Sequence, residues 1–194
     1  MIPKILTNSL FVLITFAFLS FDLPRGWFKA GSASDCYEMG IDPGAGPNGK
    51  NVASIKSIKK TKGFGTLMQS CLADTFRGKK IRMSGYVKAL NVKGWAGLWL
   101  RIDKENDYTE TLGFDNMSNR PIRKTSDWTR YEIVLKVPEK AHSLAYGALL
   151  AGKGQIWFND LQFEIVHDSV PTTGNDCKVC SKVLTEPGNL NFEK

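Results

Sequence analysis

The sequence predicts an all-β protein, specifically an antiparallel β-sandwich. Residues 154–164 (Gly-Gln-Ile-Trp-Phe-Asn-Asp-Leu-Gln-Phe-Glu) read as a strand, a two-residue Asn159-Asp160 turn and a second strand. Leu161, Phe163 and Ile165 alternate there with Gln162 and Glu164, the period of a strand with one buried face. Stretches of the same period recur at short intervals, and turn residues separate them. No helical period persists for more than a few residues.

The elements follow in order. Residues 1–9 carry Lys4 and no acid, and 10–21 form an apolar run broken only by Thr15 and Ser20. That run is too short to span a bilayer comfortably and matches the hydrophobic core of a signal peptide. No Ala-x-Ala precedes Asp22, so cleavage near Ser20 to Asp22 and retention as an N-terminal anchor both stay open. Either outcome predicts an exported protein that is periplasmic, secreted or membrane-anchored, with residues 1–23 as leader or anchor. Residues 26–37 begin the domain with Trp27 and Phe28 as anchors. Pro43, Gly44, Gly46, Pro47 and Asn48-Gly49 make 42–51 a turn. Strands are expected over 52–58, 66–73, 80–90, 96–103, 111–115, 128–137, 143–151, 155–158 and 161–166. The breaks between them fall at Arg77-Gly78, Lys93-Gly94, residues 119–121, Pro138 and Lys153-Gly154. The sandwich therefore covers 24–166. Residues 167–194 read as a linker and a short tail, whose Asn189-Leu190-Asn191-Phe192-Glu193 phrase either opens a further module or docks on this one.

Alternation assigns faces. Ile81, Met83, Val87 and Ala89 go inward, as do Ala96, Leu98, Leu100 and Ile102, and then Tyr131, Ile133, Leu135 and Val137. Two packed sheets need such inward sets. The outward set is the unusual one: Tyr86, Trp95, Trp99 and Arg101 form an apolar patch with polar handles. Trp27, Trp128 and Trp157 read as core or edge anchors.

The formal net charge of +7 suits an acidic polysaccharide, nucleic acid or an anionic membrane, or simply a lysine-rich surface. Lys56, Lys59, Lys60 and Lys62 are the densest run. Cys36 and Cys71 lie in the domain, and Cys177 and Cys180 form a Cys-x-x-Cys in the tail. One such pair, with only His142 and His167 available, is a weak zinc pattern, and four cysteines allow three disulfide connectivities.

Several phrases also form an ordered series. They are Gly-Trp-Phe-Lys-Ala-Gly (26–31), Gly-Phe-Gly-Thr-Leu-Met-Gln (63–69), Arg-Gly-Lys-Lys-Ile-Arg-Met-Ser-Gly-Tyr-Val-Lys (77–88) and Gly-Trp-Ala-Gly-Leu-Trp-Leu-Arg-Ile-Asp (94–103). Gln-Ile-Trp-Phe-Asn-Asp-Leu-Gln-Phe-Glu (155–164) closes the series, after Phe-Asp-Asn-Met (114–117), Asn-Arg-Pro-Ile (119–122) and Asp-Trp-Thr-Arg-Tyr-Glu (127–132). Over roughly 24–166 the series resembles a bacterial jelly-roll domain of the galactose-binding and carbohydrate-binding-module type. That domain occurs as a stand-alone exported protein and at the C-terminus of some AraC-type transcriptional regulators. The resemblance implies a jelly roll without catalytic residues to carry over. Exported jelly rolls of this kind often hold a structural calcium ion, which makes Asp160 a candidate oxygen ligand against the alternative of a plain turn-capping aspartate. No other cofactor is expected.

The expected function is non-catalytic binding of a carbohydrate or small polar ligand. Aromatic faces supply stacking, and arginine, aspartate and asparagine supply directional bonds. The candidate ligand-binding residues are Tyr86, Trp95, Trp99, Arg101, Asp103, Asp115, Asn116 and Arg120. An alternative is a structural or protein-interaction module of the cell envelope, in which the same patch meets a partner protein. A more distant reading makes Asp103 and Asp115 the carboxylate pair of a glycoside hydrolase. No Gly-x-Ser-x-Gly elbow or phosphate loop is present. Nothing helical flanks the β region to form a helix-turn-helix, so nucleic acid is not an expected partner, and a membrane is one only through the N-terminal segment.

Overall fold

The computed structural model describes residues 22–104, 107–174 and 187–192, with side chains undescribed over 105–110. The expected leader up to residue 21, and Cys177 and Cys180, lie outside the described residues. Nine strands run through the rest: β1 (Phe28–Ala30), β2 (Tyr37–Asp42), β3 (Val52–Ser57), β4 (Phe64–Leu72), β5 (Lys80–Lys104), β6 (Asp107–Asp115), β7 (Ile122–Lys136), β8 (Ala141–Ala151) and β9 (Gln155–Val166). All pairings are antiparallel.

One long strand belongs to both sheets. The first half of β5 pairs with β9 and β7, and its second half pairs with β8 and β6. One layer therefore runs β1-β4-β8-β5-β6, and the other runs β2-β3-β9-β5-β7. The crossing falls at residues 90–94, where Leu90, Asn91 and Lys93 are exposed and Asn91 takes a positive φ of 53°. The two strands expected over 80–90 and 96–103 are thus one, and Lys93-Gly94 is a corner between sheets.

The expected Asn159-Asp160 hairpin turn is corrected in the same way. Residues 155–158 and 162–166 both lie on β5 in one continuous register direction, so the chain does not reverse there. Ser84 faces Gln162 and Tyr86 faces Asn159, which leaves Gly85 opposite two residues, Asp160 and Leu161. That is a β-bulge. Asp160 occupies its left-handed position at φ 50°, a conformation aspartate tolerates better than most residues. Gly85 leaves the space that the Leu161 side chain fills, since a Cβ there would stand 2.5 Å from Leu161 Cδ2.

The inward sets pack as expected. Ile81, Met83, Val87, Ala89, Ala96, Leu98, Leu100 and Ile102 are all fully buried in one cluster with Ile133, Leu135 and Val137; Tyr131 is only half-buried against it. Trp27 joins this core, packing 5.9 Å from both Tyr146 and Phe158 between ring centroids. Trp157 sits outside it and donates from Nε1 to Asp42 at 2.7 Å. Cys36 is a free thiol, so Cys36 and Cys71 do not pair with each other.

Residues 187–192 return to the sandwich and fill its open end. Phe192 is fully buried 5.2 Å from the rings of Trp27 and Phe158. The buried Gln69 donates to Gly188 O at 3.0 Å and accepts from Gly188 N at 2.8 Å, and Tyr146 Oη donates to the same Gln69 Oε1. Burial pushes the Tyr146 pKa far up, so the hydroxyl stays a neutral donor in this network. Leu161 N donates to Leu190 O at 3.3 Å.

Candidate functional site

The outer face of the β1-β4-β8-β5-β6 layer carries a groove, and register explains its shape. Four rows cross the sheet from β4 through β8 to β5: Phe64–Ala151–Trp95, Thr66–Leu149–Gly97, Met68–Gly147–Trp99 and Ser70–Ala145–Arg101. Three of the four central residues are alanine or glycine, whereas the flanking strands carry the large side chains. The sheet is therefore low along β8 and high on either side. Phe28 and Ala30 of β1 pair with Met68 and Thr66 and extend one wall. Phe114 of β6 pairs with Arg101 and extends the other. These side chains enclose a hollow of about 370 Å³, which Asn116 and Arg101 also line.

Trp99 forms the floor. It is 6% exposed, and its Nε1 donates to Thr66 Oγ1 at 2.8 Å; Thr66 in turn donates to Ala148 O at 2.7 Å. The indole thereby reaches from β5 to β4 across β8, beside Gly147, whose lack of a side chain lets the β4 backbone approach closely. A Cβ at Gly147 would lie 2.2 Å from Leu67 O and 2.9 Å from Met68 Cα. Trp95 and Phe64 are more accessible and stand at one end.

The polar residues divide into groove groups and supports. Arg101 lines the hollow, and the buried Asp103 holds it: Arg101 Nε lies 3.0 Å and Nη2 2.9 Å from Asp103 Oδ2. Burial pushes the Asp103 carboxyl above its ordinary value, and the Arg101 guanidinium pulls the other way. Thr111 Oγ1 is 3.4 Å from the second carboxylate oxygen. Asp115 follows Phe114, which faces the groove, so alternation turns it to the other side of the sheet. There it accepts Met117 N at 2.7 Å and both terminal nitrogens of Arg120, at 3.2 and 2.7 Å. Arg120 Nη2 also donates to Glu132 O at 3.0 Å. Asp115 and Arg120 thus close the chain turn after β6 and do not line the groove.

Of the sequence-derived candidates, the structure brings Trp95, Trp99, Arg101 and Asn116 together, with Asp103 behind Arg101. Tyr86 lies elsewhere. It is 42% exposed on the other sheet, paired with Asn159 and Arg130. Tyr86 and Trp99 are each outward in their own half of β5, but the crossing at 90–94 puts them on opposite outer faces of the sandwich. Asp103 and Asp115 are held by separate arginines on opposite sides of one sheet, so they do not flank a common cleft as a hydrolytic carboxylate pair must. Among the described residues no three His, Cys, Asp or Glu side chains converge on a metal position, at Asp160 or elsewhere.

Sequence reading missed Phe28, Phe64, Met68, Phe114 and Leu149. Their signal was the outward phase on neighbouring strands, which counts only once the strand order is known.

No family model matches the chain. It is 41% identical over 172 residues to the uncharacterized HTH-type transcriptional regulator YbfP of Bacillus subtilis, a match over 88% of this chain and 57% of the regulator. The chain thus spans little more than half the length of that relative. Among solved structures it is similar to the CBM22-1 xylan-binding domain of Paenibacillus barcinonensis Xyn10C, with a TM-score of 0.53 and 18% identity over 77% of this chain and 92% of that one. The CBM22-2 xylan-binding domain of the same enzyme gives 0.51 and 14% over 73% and 92%. The enzymatically active domain of bacteriophage CBA120 tailspike protein 4 gives 0.54 and 12% over 76% and 20%. At these identities the likeness is one of fold, and the fold is an antiparallel jelly-roll β-sandwich of the carbohydrate-binding-module type.

Proposed function

We propose that the protein binds a glycan, without catalysis, in the groove of the β1-β4-β8-β5-β6 layer. The observation that carries this reading is the combination of an aromatic trough with a fixed guanidinium. Pyranose rings have apolar C–H faces that stack on Trp95, Phe64 and the Trp99 floor, and hydroxyl rims that accept from Arg101 and Asn116. A buried partner, Asp103, pre-orients Arg101 and so lowers the ordering cost on binding. The xylan-binding neighbours support the same ligand class.

The match to YbfP supports a second layer of the reading: a domain of this type is also shared with an HTH-type transcriptional regulator. In this chain the run 10–21 and Lys4 support export, with residues 1–23 as leader or anchor, 24–166 as the binding module and 167–194 as linker and tail. Fractionation of a reporter fusion is expected to place the protein outside the cytoplasm. Recovery of full-length soluble protein in the cytoplasm would end that part of the proposal.

Trp95→Ala tests the groove, because Trp95 is half-buried and removing it leaves the Trp99–Thr66 bond in place. On a glycan array, the substitution is expected to weaken binding by about 1–3 kcal/mol, or roughly 5- to 150-fold. Equal binding by the folded variant would refute the site. Retention of an envelope protein with no glycan bound would favour a protein-interaction role.

A further inference from the structure

At the end of the sandwich where β5 changes sheets, five lysines gather. Two adjoining hollows of about 450 and 460 Å³ share Ser57, Lys93 and Lys153. Lys56 lines the first, Lys59 and Lys60 line the second, and no carboxylate lines either. All five lysines are exposed. Arg123 adds a further cation, since its Nη1 donates to Gly94 O at 2.7 Å, one residue from Lys93.

Backbone contacts hold the loops that carry them. Lys93 N donates to Lys153 O at 2.8 Å. Ser57 N donates to Gly154 O at 2.9 Å, and Gly154 N to Ser57 Oγ at 3.0 Å. Tyr37 Oη donates to Gly63 O at 3.0 Å and accepts from Gly152 N at 2.9 Å. The lysines are thus concentrated by loops tied to one another. Like charges so placed raise the local potential, and an anion relieves their repulsion.

The cluster also continues the groove. The row Phe64–Ala151–Trp95 is the groove's last, and two residues further along those three segments stand Lys62, Lys153 and Lys93, all exposed. We infer that the ligand is an acidic polysaccharide, whose rings occupy the groove and whose carboxylates run off its Trp95 end onto Lys93, Lys153 and Lys60. This inference rests on the glycan reading above and narrows it. Lysine suits such a ligand, because a point charge on a flexible stem follows carboxylates spaced along a chain without demanding one bidentate geometry.

The test uses the full chain in titration calorimetry against matched pairs: polygalacturonate and its fully methyl-esterified form, and glucuronoxylan and unsubstituted xylan. At low salt one acidic member is expected to bind at least about tenfold tighter than its neutral partner, with that advantage lost at high salt. The triple variant K60Q/K93Q/K153Q is expected to lose the advantage while its affinity for the neutral member stays unchanged. Trp95→Ala should weaken both members. Equal affinity for acidic and neutral members would overturn the inference and leave the groove reading standing. Binding of neither would overturn both. Displacement of the polysaccharide by single-stranded DNA at a lower charge concentration would overturn it in favour of nucleic acid.

Discussion

Phe192→Ala is expected to destabilise the protein by about 3–5 kcal/mol, the usual cost of emptying a buried phenylalanine site. Phe192 is fully buried between Trp27 and Phe158, and the void would open at the mouth of the sandwich, where these two aromatic rings lose a common partner. The Gly188–Gln69 bonds would persist and hold the tail near its place, so the cavity should collapse only in part. A thermal melt is the direct measurement, with a drop of roughly 10 °C for a chain of this length. An unchanged melting temperature would mean that the tail is not part of the core. The groove lies on the outer face of one sheet, away from this cluster, so glycan affinity below the melting range should not follow the loss of stability.

Gly147→Val is expected to act on both stability and binding. The new Cβ would fall 2.2 Å from Leu67 O, a backbone atom of the neighbouring strand that cannot rotate aside. β4 and β8 would have to part at the middle of their ladder, at a cost of about 3 kcal/mol or more. Moving β4 would also carry Thr66 away from the Trp99 indole that bonds it, so the floor of the groove would tilt even in molecules that fold. Urea unfolding and tryptophan fluorescence read the two effects separately. A variant with wild-type midpoint and spectrum would show that the floor is not built this way. Trp95→Ala, by contrast, should leave the midpoint nearly unchanged and lose affinity, which separates a residue that meets the ligand from one that makes the site.

Much of the sandwich was legible in one dimension. The inward phases of residues 81–89, 96–102 and 133–137 were read from alternation alone and are buried as read. The groove was legible only in part. Trp95, Trp99, Arg101 and Asn116 were found because they are unusual residues at outward positions near one another in sequence. Phe28, Phe64 and Phe114 were missed because their relation to Trp99 exists only through the pairings of β1 with β4, β4 with β8 and β5 with β6. Tyr86 was wrongly grouped with Trp99 for the complementary reason. Phase along a strand says which face a residue takes, but not that the strand leaves one sheet for the other between them.

Asp160 makes the same point at the scale of one residue. Asn-Asp is a strong turn signal because both side chains tolerate a positive φ, and Asp160 does adopt one. A hairpin turn and a β-bulge make the same local demand, and the long shared partner β5 decides between them. Strand period and side-chain chemistry suffice for the antiparallel all-β class, the inward faces and the aromatic character of one outward stretch. It takes the folded chain to show which strands lie side by side, that β5 serves both sheets, that residues 187–192 close the core, and that the lysines of three separate segments meet beyond Trp95. Each of those depends on contacts between residues far apart in the chain, about which a period of two carries no information.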